Sequence, residues 1–182
     1  MEVDGMNGLQ QLVMMVALAV SALPADRAAN AAQIPGDARK LQIVNSMYEA
    51  YRKDFPSVRD IEPMEAMRLF RKGKAVFIDV RPQNERSVSV LPKAVKTDDF
   101  LKNIDLYKDK TAIAYCTISF RSGVFARKMA ERGVDILNLR GGLLGWVLVG
   151  GPVFGPDGKR TRRIHVYGEK WDYPPAGYTS VW

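Results

Sequence analysis

An α/β fold with a mostly parallel central sheet flanked by helices is the class that this sequence predicts, and three observations carry it. Three short apolar runs, "AVFIDV" (75–80), "TAIAYC" (111–116) and "DILNL" (135–139), read as buried strands. Between them lie segments whose apolar residues recur at three- and four-residue spacings, which is the helical period. With 182 residues and 47% hydrophobic content the chain can enclose one core, so alternating strands and helices point to one mostly parallel sheet.

In chain order, the first feature is "LVMMVALAVSAL" (12–23), twelve residues without a charge. That is short for a membrane span and suits the core of a signal peptide. "ANAAQ" follows and offers an A-x-A site with Ala31 as the last residue removed, so residues 1–31 are expected to direct export, to a periplasm or its equivalent. Glu2 and Asp4 precede the run where lysine or arginine is usual, although a start at Met6 would remove both. An uncleaved membrane anchor and an ordinary buried helix are the alternatives. Cleavage would remove Glu2, Asp4, Asp26 and Arg27, leaving a mature chain more basic than the formal +7.

Residues 32–56 read as a linker and an amphipathic helix, with Leu41, Val44, Tyr48, Tyr51 and Phe55 on one face and Asp37 as its N-cap. "IEPMEAMRLFRKGK" gives a second helix with Pro63 in its first turn and Gly73 as its stop. After the strand "AVFIDV", "DDFLKNI" reads as a short helix. The strand "TAIAYC" then leads into the helix "SGVFARKMAERG", stopped by Gly133. After "DILNL" comes "RGGLLGWVLVGGPV", a glycine-rich turn and a short helix carrying Trp146 in the core. The extension from residue 154 contains Tyr167, Trp171, Tyr173, Tyr178 and Trp182, too aromatic for a disordered tail, and is expected to pack on the domain.

In such sheets ligands bind beyond the carboxyl ends of the strands, and the only cysteine, Cys116, lies there. The next helix begins a few residues on, and its N-terminal N–H groups favour an anionic sulfur, the nucleophilic form. Arg121 can direct its guanidinium toward the same anion, and Ser119 and Ser122 can add hydroxyl donors. The alternative is a small buried hydrophobe, but Thr117, Ser119, Arg121 and Ser122 are poor core residues. One cysteine excludes an intramolecular disulfide, and with His165 as the only histidine no metal cluster is predicted. No phosphate-loop or dinucleotide motif occurs, so no cofactor is expected. "GKRTRR" (158–163) is the densest basic cluster, yet it lacks interleaved aromatics, so no nucleic-acid partner is expected.

Four segments, "FIDVRPQNE" (77–85), "VLPKAV" (90–95), "YCTISFRSG" (115–123) and "NLRGGLLGWVLVGGPV" (138–153), together resemble the successive signatures of single-domain rhodaneses over residues 57–153. The resemblance implies a rhodanese-like fold and sulfurtransferase activity through a Cys116 persulfide, without metal or organic cofactor. It implies an anionic sulfur donor, such as thiosulfate or a protein persulfide, and a thiol or cyanide-like acceptor. Cys116 takes the nucleophile position, Thr117, Ile118, Ser119, Phe120, Arg121 and Ser122 form the substrate-binding loop, and Asp79 and Arg81 match a strand-end Asp-x-Arg that serves the scaffold. The departures are Ser119 where the family's C-x-x-G-x-R loop has glycine, and Val90 and Lys93 within its "GHIPGA". Phe120 makes the rim apolar, which points to a larger acceptor or a protein partner, or else to packing under the tail. The rival functions are a cysteine-dependent phosphatase, whose loop would need five residues rather than the four from Thr117 to Phe120, and a non-catalytic interaction module.

Overall fold

The computed structural model describes residues 36–182, so the expected export segment lies outside the described residues. Helix α1, Gly36–Arg52, buries Val44 and Tyr48 one turn apart. Asp37 corrects the N-cap expectation: it lies inside the helix, and its Oδ1 accepts the N–H of Ala176 from the distant tail at 2.9 Å. Helix α2, Pro63–Arg71, starts on proline and stops at Gly73, whose φ of 70° lets Lys74 N–H reach back to Leu69 O. The short helices α3 (Gln83–Arg86) and α4 (Thr97–Lys102) precede α5 (Phe120–Ala130) and α6 (Gly142–Leu148). Among the described residues no helix is long and apolar enough to cross a membrane.

The central sheet has five strands: β1 (Asp60–Ile61), β2 (Ala75–Asp79), β3 (Val95–Lys96), β4 (Thr111–Tyr115) and β5 (Leu137–Leu139). Their order is β1-β5-β4-β2-β3, and every neighbouring pair is parallel. Strands β1 and β3 are absent from the sequence expectation because two residues are too few to show a strand period. Pairing with β5 and β2 creates them.

Side chains alternate along β2 and β4, and both faces are covered. Phe77, Ile113 and Tyr115 enter one core with α2, α6 and the tail, whereas Val76, Ile78, Ala112 and Ala114 enter the other with α4, α5 and Tyr48. This double burial explains why the strands read as unbroken apolar runs. Trp146 is fully buried, meets Phe77 edge-on with centroids 5.1 Å apart, and donates Nε1–H to Pro152 O at 2.9 Å. Burying such a ring contributes about 1.5–3 kcal/mol, and the hydrogen bond removes the cost of burying its polar edge.

The tail adds an antiparallel pair, β6 (Val153–Phe154) with β7 (Arg160–Thr161), and a parallel pair, β8 (Arg163–His165) with β9 (Thr179–Val181). Val90 and Phe154 exchange both backbone hydrogen bonds at 2.9 Å. Ile164 and Val166 are fully buried in the first core, and Lys40 Nζ of α1 donates to Pro174 O at 2.5 Å. The tail is therefore part of the folded body, and it reaches the carboxyl end of the sheet.

Candidate active site

Strand β4 ends at Tyr115, and Cys116 follows at the carboxyl edge of the sheet, between the ends of β2 and β5. The start of α6 fixes the loop from outside: Leu143 N–H donates to Cys116 O at 2.8 Å and Leu144 N–H to Thr117 O at 3.1 Å. Only glycine fits at Gly142, where φ is 57° and a Cβ would come within 2.5 Å of Cys116 O. The glycine pair of "RGG" thus lets a helix start approach the loop backbone directly. With the carbonyls so engaged, the N–H groups of Thr117, Ile118 and Ser119 have no backbone acceptor among the described residues. They adjoin the open N–H groups of the first turn of α5.

Ser119 holds the loop in a left-handed conformation, φ 76° and ψ −4°. Its hydroxyl corrects the sequence expectation of a donor to a bound anion. It is fully buried and donates to Leu139 O at 2.6 Å, so it ties the loop to β5 instead. Ser122 is also buried; its Oγ donates to Asn138 Oδ1 at 2.7 Å and lies 3.7 Å from Cys116 Sγ. Asn138 Nδ2 in turn donates to Ser119 O at 3.2 Å, so one amide side chain on β5 holds both serines.

Arg121 lies beside the sulfur but does not present a free fork. Its Nη1 and Nη2 donate to Glu85 Oε1 and Oε2 at 2.5 and 2.7 Å, and Nη2 lies 3.3 Å from Thr117 Oγ1. Burial opposes the guanidinium charge, but the Glu85 hydrogen bonds and the charges of Cys116 and Glu85 outweigh it and strengthen its hold on its proton. Glu85, on α3, is 1% exposed. Burial alone would raise its pKa, yet hydrogen bonds from Arg121 and the charges of Arg121, Arg81 and His165 bring it below the ordinary glutamate value. His165, distant in sequence, is thus electrostatically coupled to this pair. Burial lowers its own pKa, and its Nδ1 accepts Tyr167 N–H at 3.1 Å.

Asp79 and Arg81 form a separate cluster at the end of β2. Arg81 Nε and Nη2 donate to Asp79 Oδ1 and Oδ2 at 2.9 and 2.7 Å, Nη2 also donates to Ser89 O, and the guanidinium carbon lies 5.3 Å from the centre of the Tyr115 ring. Tyr115 donates its hydroxyl hydrogen to Asp79 and accepts Leu91 N–H.

Cys116, Thr117, Ile118, Phe120 and Arg121 line a cleft of about 400 Å³. Cys116 is only 2% exposed, at its floor, and Phe120 is 39% exposed, at its rim. Phe120 packs edge-on to Tyr51 and Phe55 near the end of α1, rather than under the tail. The remaining wall comes from Tyr51, Tyr167, Lys170 and Trp171, none of which the sequence singled out for the site. Glu85 and Asn138 were missed as well, although both lie in the quoted motifs. Nothing in a local pattern marks a carboxylate or an amide as the partner of a loop elsewhere in the chain. Among the described residues no three His, Cys, Asp or Glu side chains are grouped to hold a metal ion.

Residues 62–148 match the family model of the Rhodanese-like domain. A sulfurtransferase from Allochromatium vinosum is 28% identical over 97 residues, which is 51% of this chain and 91% of that protein. Among solved structures, thiosulfate sulfurtransferase from Pseudomonas aeruginosa aligns at 19% identity with a TM-score of 0.49, over 64% of this chain and 23% of its own. A rhodanese-related protein from Thermoplasma volcanium aligns at 22% identity with a TM-score of 0.43, over 52% of this chain and 96% of its own.

Proposed function

From the premise that this chain carries a single rhodanese-like domain of a sulfurtransferase family, we propose that it moves a sulfane sulfur through a persulfide on Cys116. The observation that carries this reading is the loop: a thiol at the floor of a cleft, followed by three backbone N–H groups with no backbone acceptor among the described residues and a helix start. That arrangement favours a negative sulfur and the persulfide anion it becomes.

In the first half-reaction the Cys116 thiolate attacks the outer sulfur of an anionic donor such as thiosulfate. A Cys–S bond forms, the donor's S–S bond breaks, and sulfite leaves with the bonding pair. In the second, cyanide or a thiolate attacks the outer persulfide sulfur, and Cys116 departs as thiolate. The loop amides hold the terminal sulfur in both steps. Arg121 contributes positive charge and, through Glu85, fixes the end of the loop.

This division of labour also favours sulfur over phosphate transfer. A phosphoryl group needs a wider cradle and a guanidinium fork free to bind its oxygens, whereas both terminal nitrogens of Arg121 are engaged by Glu85. A single sulfur atom needs only the amides.

Intact mass of the purified protein, with and without thiosulfate, tests the reading. The wild type should gain one sulfur atom that cyanide or a reductant removes, and Cys116→Ser should gain none and lose at least ~10³-fold in transfer rate. A serine variant that still moved sulfur from thiosulfate to cyanide at a comparable rate would refute the assignment.

A further inference from the structure

The cleft above Cys116 is far larger than an inorganic donor requires, and the excess is walled by aromatic rings. A volume of about 400 Å³ falls in the range of sites for small organic molecules. Thiosulfate has five heavy atoms and would leave most of it unfilled. The wall is assembled from three separate parts of the chain: Tyr51 on α1, Phe120 at the start of α5, and Tyr167 and Trp171 from the tail. Three of these four residues lie outside the segment that matches the family model, so the wall belongs to this chain's own extensions.

The rings are arranged as a fixed surface. Tyr51 and Phe120 meet edge-on at 5.5 Å, and Tyr167 and Trp171 do so at 5.1 Å. Trp171 Nε1–H donates to Tyr51 Oη at 3.2 Å, closing the tail against α1. Tyr167 takes a left-handed backbone conformation, φ 73°, with the Arg121 guanidinium carbon 5.0 Å from its ring centre. Lys170, on the same tail segment, adds a second cation to the lining. Apolar rings with cations beside a nucleophilic sulfur are complementary to a flat apolar body that ends in an anion.

Resting on the sulfur-transfer reading, we propose that the donor taken by this site is an organic sulfane-sulfur anion with a flat, apolar body. An aryl thiosulfonate, R–SO₂–S⁻, represents the class. The Cys116 thiolate attacks the terminal sulfur, the Cys–S bond forms, the S–SO₂ bond breaks, and the sulfinate R–SO₂⁻ leaves with the bonding pair. One negative charge resides on the persulfide and one on the sulfinate, so charge and electrons balance without an added oxidant or proton. The ring lies against Trp171 and Phe120 throughout, and Lys170, whose Nζ lies 5.5 Å from the centre of the Trp171 ring, adds positive charge at that wall.

Benzenethiosulfonate and methanethiosulfonate share the reacting group and differ in the ring. For the wild type, kcat/KM should be at least ~10-fold higher with the benzene compound, as expected for burial of a ring against aromatic walls. Trp171→Ala and, separately, Phe120→Leu should bring that ratio toward one. The ratio is independent of the fraction of protein that folds, so a destabilised variant still reports. A second measurement needs no chemistry: calorimetric titration of Cys116→Ser with benzenesulfonate and methanesulfonate should show at least ~10-fold tighter binding of the former. Equal kcat/KM for the two donors, or equal affinity for the two sulfonates, overturns the proposal. Failure of every donor to add sulfur to Cys116 would instead remove the sulfur-transfer reading, while the sulfonate comparison still judges the wall.

Discussion

Two adjacent strand ends in this molecule face the same way and have opposite fates. Asp79 at the end of β2 is directly paired in register with Tyr115 at the end of β4. Beyond Asp79, Arg81 folds back and closes a buried cluster in which the carboxylate, the guanidinium Nε and Nη2, the phenol and the Ser89 carbonyl find partners. Beyond Tyr115, the backbone turns into a loop in which α6 engages the carbonyls of Cys116 and Thr117, while the N–H groups of Thr117, Ile118 and Ser119 have no backbone acceptor among the described residues. The difference teaches how to tell scaffold from site in a sheet of this kind. Both ends are polar and both are buried, but the closed end leaves only two side-chain atoms, Arg81 Nη1 and Ser89 Oγ, without a partner among the described residues, whereas the open end leaves a run of backbone N–H groups beside a cleft.

Breaking the closed end should give the largest effect on stability. Arg81→Leu leaves the Asp79 carboxylate, 2% exposed, without its ion-pair partner, and should cost about 3–5 kcal/mol. Thermal denaturation would register this as a fall in Tm of ~10 °C or more. If Arg81→Leu melted within a degree or two of the wild type, the Asp79 cluster could not be the support assigned to it here.

Breaking the link between the two ends should give a smaller loss of stability and a characteristic pH signature. Glu85→Gln keeps the shape but removes the charge facing Arg121, and should cost about 1–3 kcal/mol near neutrality. The folded chain lowers the pKa of Glu85, so its stabilisation is complete above its ordinary value and disappears as the pH falls through the lowered one. Burial likewise lowers the pKa of His165, and stability should begin to fall as the pH drops below about 6.5, where the unfolded chain takes up that proton and the folded chain does not. Tm measured against pH should therefore decline in two stages on acidification. Glu85→Gln should erase the lower stage and His165→Gln the upper one; a Tm profile unchanged by either variant would disprove the coupling.

The smallest effect is expected at Ser119, where strain and a hydrogen bond oppose each other. Ser119→Gly relieves a left-handed conformation that costs about 1–2 kcal/mol but loses the bond to Leu139 O, worth about 1 kcal/mol, and gains unfolded-state entropy. The net change in stability should lie within ~1 kcal/mol of zero. Ser119→Ala retains the strain and loses the bond, so chemical denaturation should rank it below Ser119→Gly. The reverse order would mean that the loop is not strained at Ser119.

The α/β class, the main strands, the helix stops at Gly73 and Gly133, and the position of Cys116 at a carboxyl strand end were all legible in the sequence. They depend on local periodicity and on the backbone freedom of single residues, which neighbouring residues suffice to display. Loop contents were legible too, but the directions of their side chains were not. Ser119 and Ser122 look alike in sequence; one bonds Leu139 O and the other bridges Asn138 and the sulfur, because β5 lies beneath both. Arg121 reads as a free cation until α3 brings Glu85 against it. The aromatic wall was beyond any local reading, since Tyr51 and Trp171 become neighbours only when α1 and the tail close on the same edge of the sheet. Short-range pattern in the chain sets the cysteine at a carboxyl strand end and opens a helix just after it. What surrounds that residue is decided by contacts between segments as much as 120 positions apart, which form only when the sheet and its two extensions pack together.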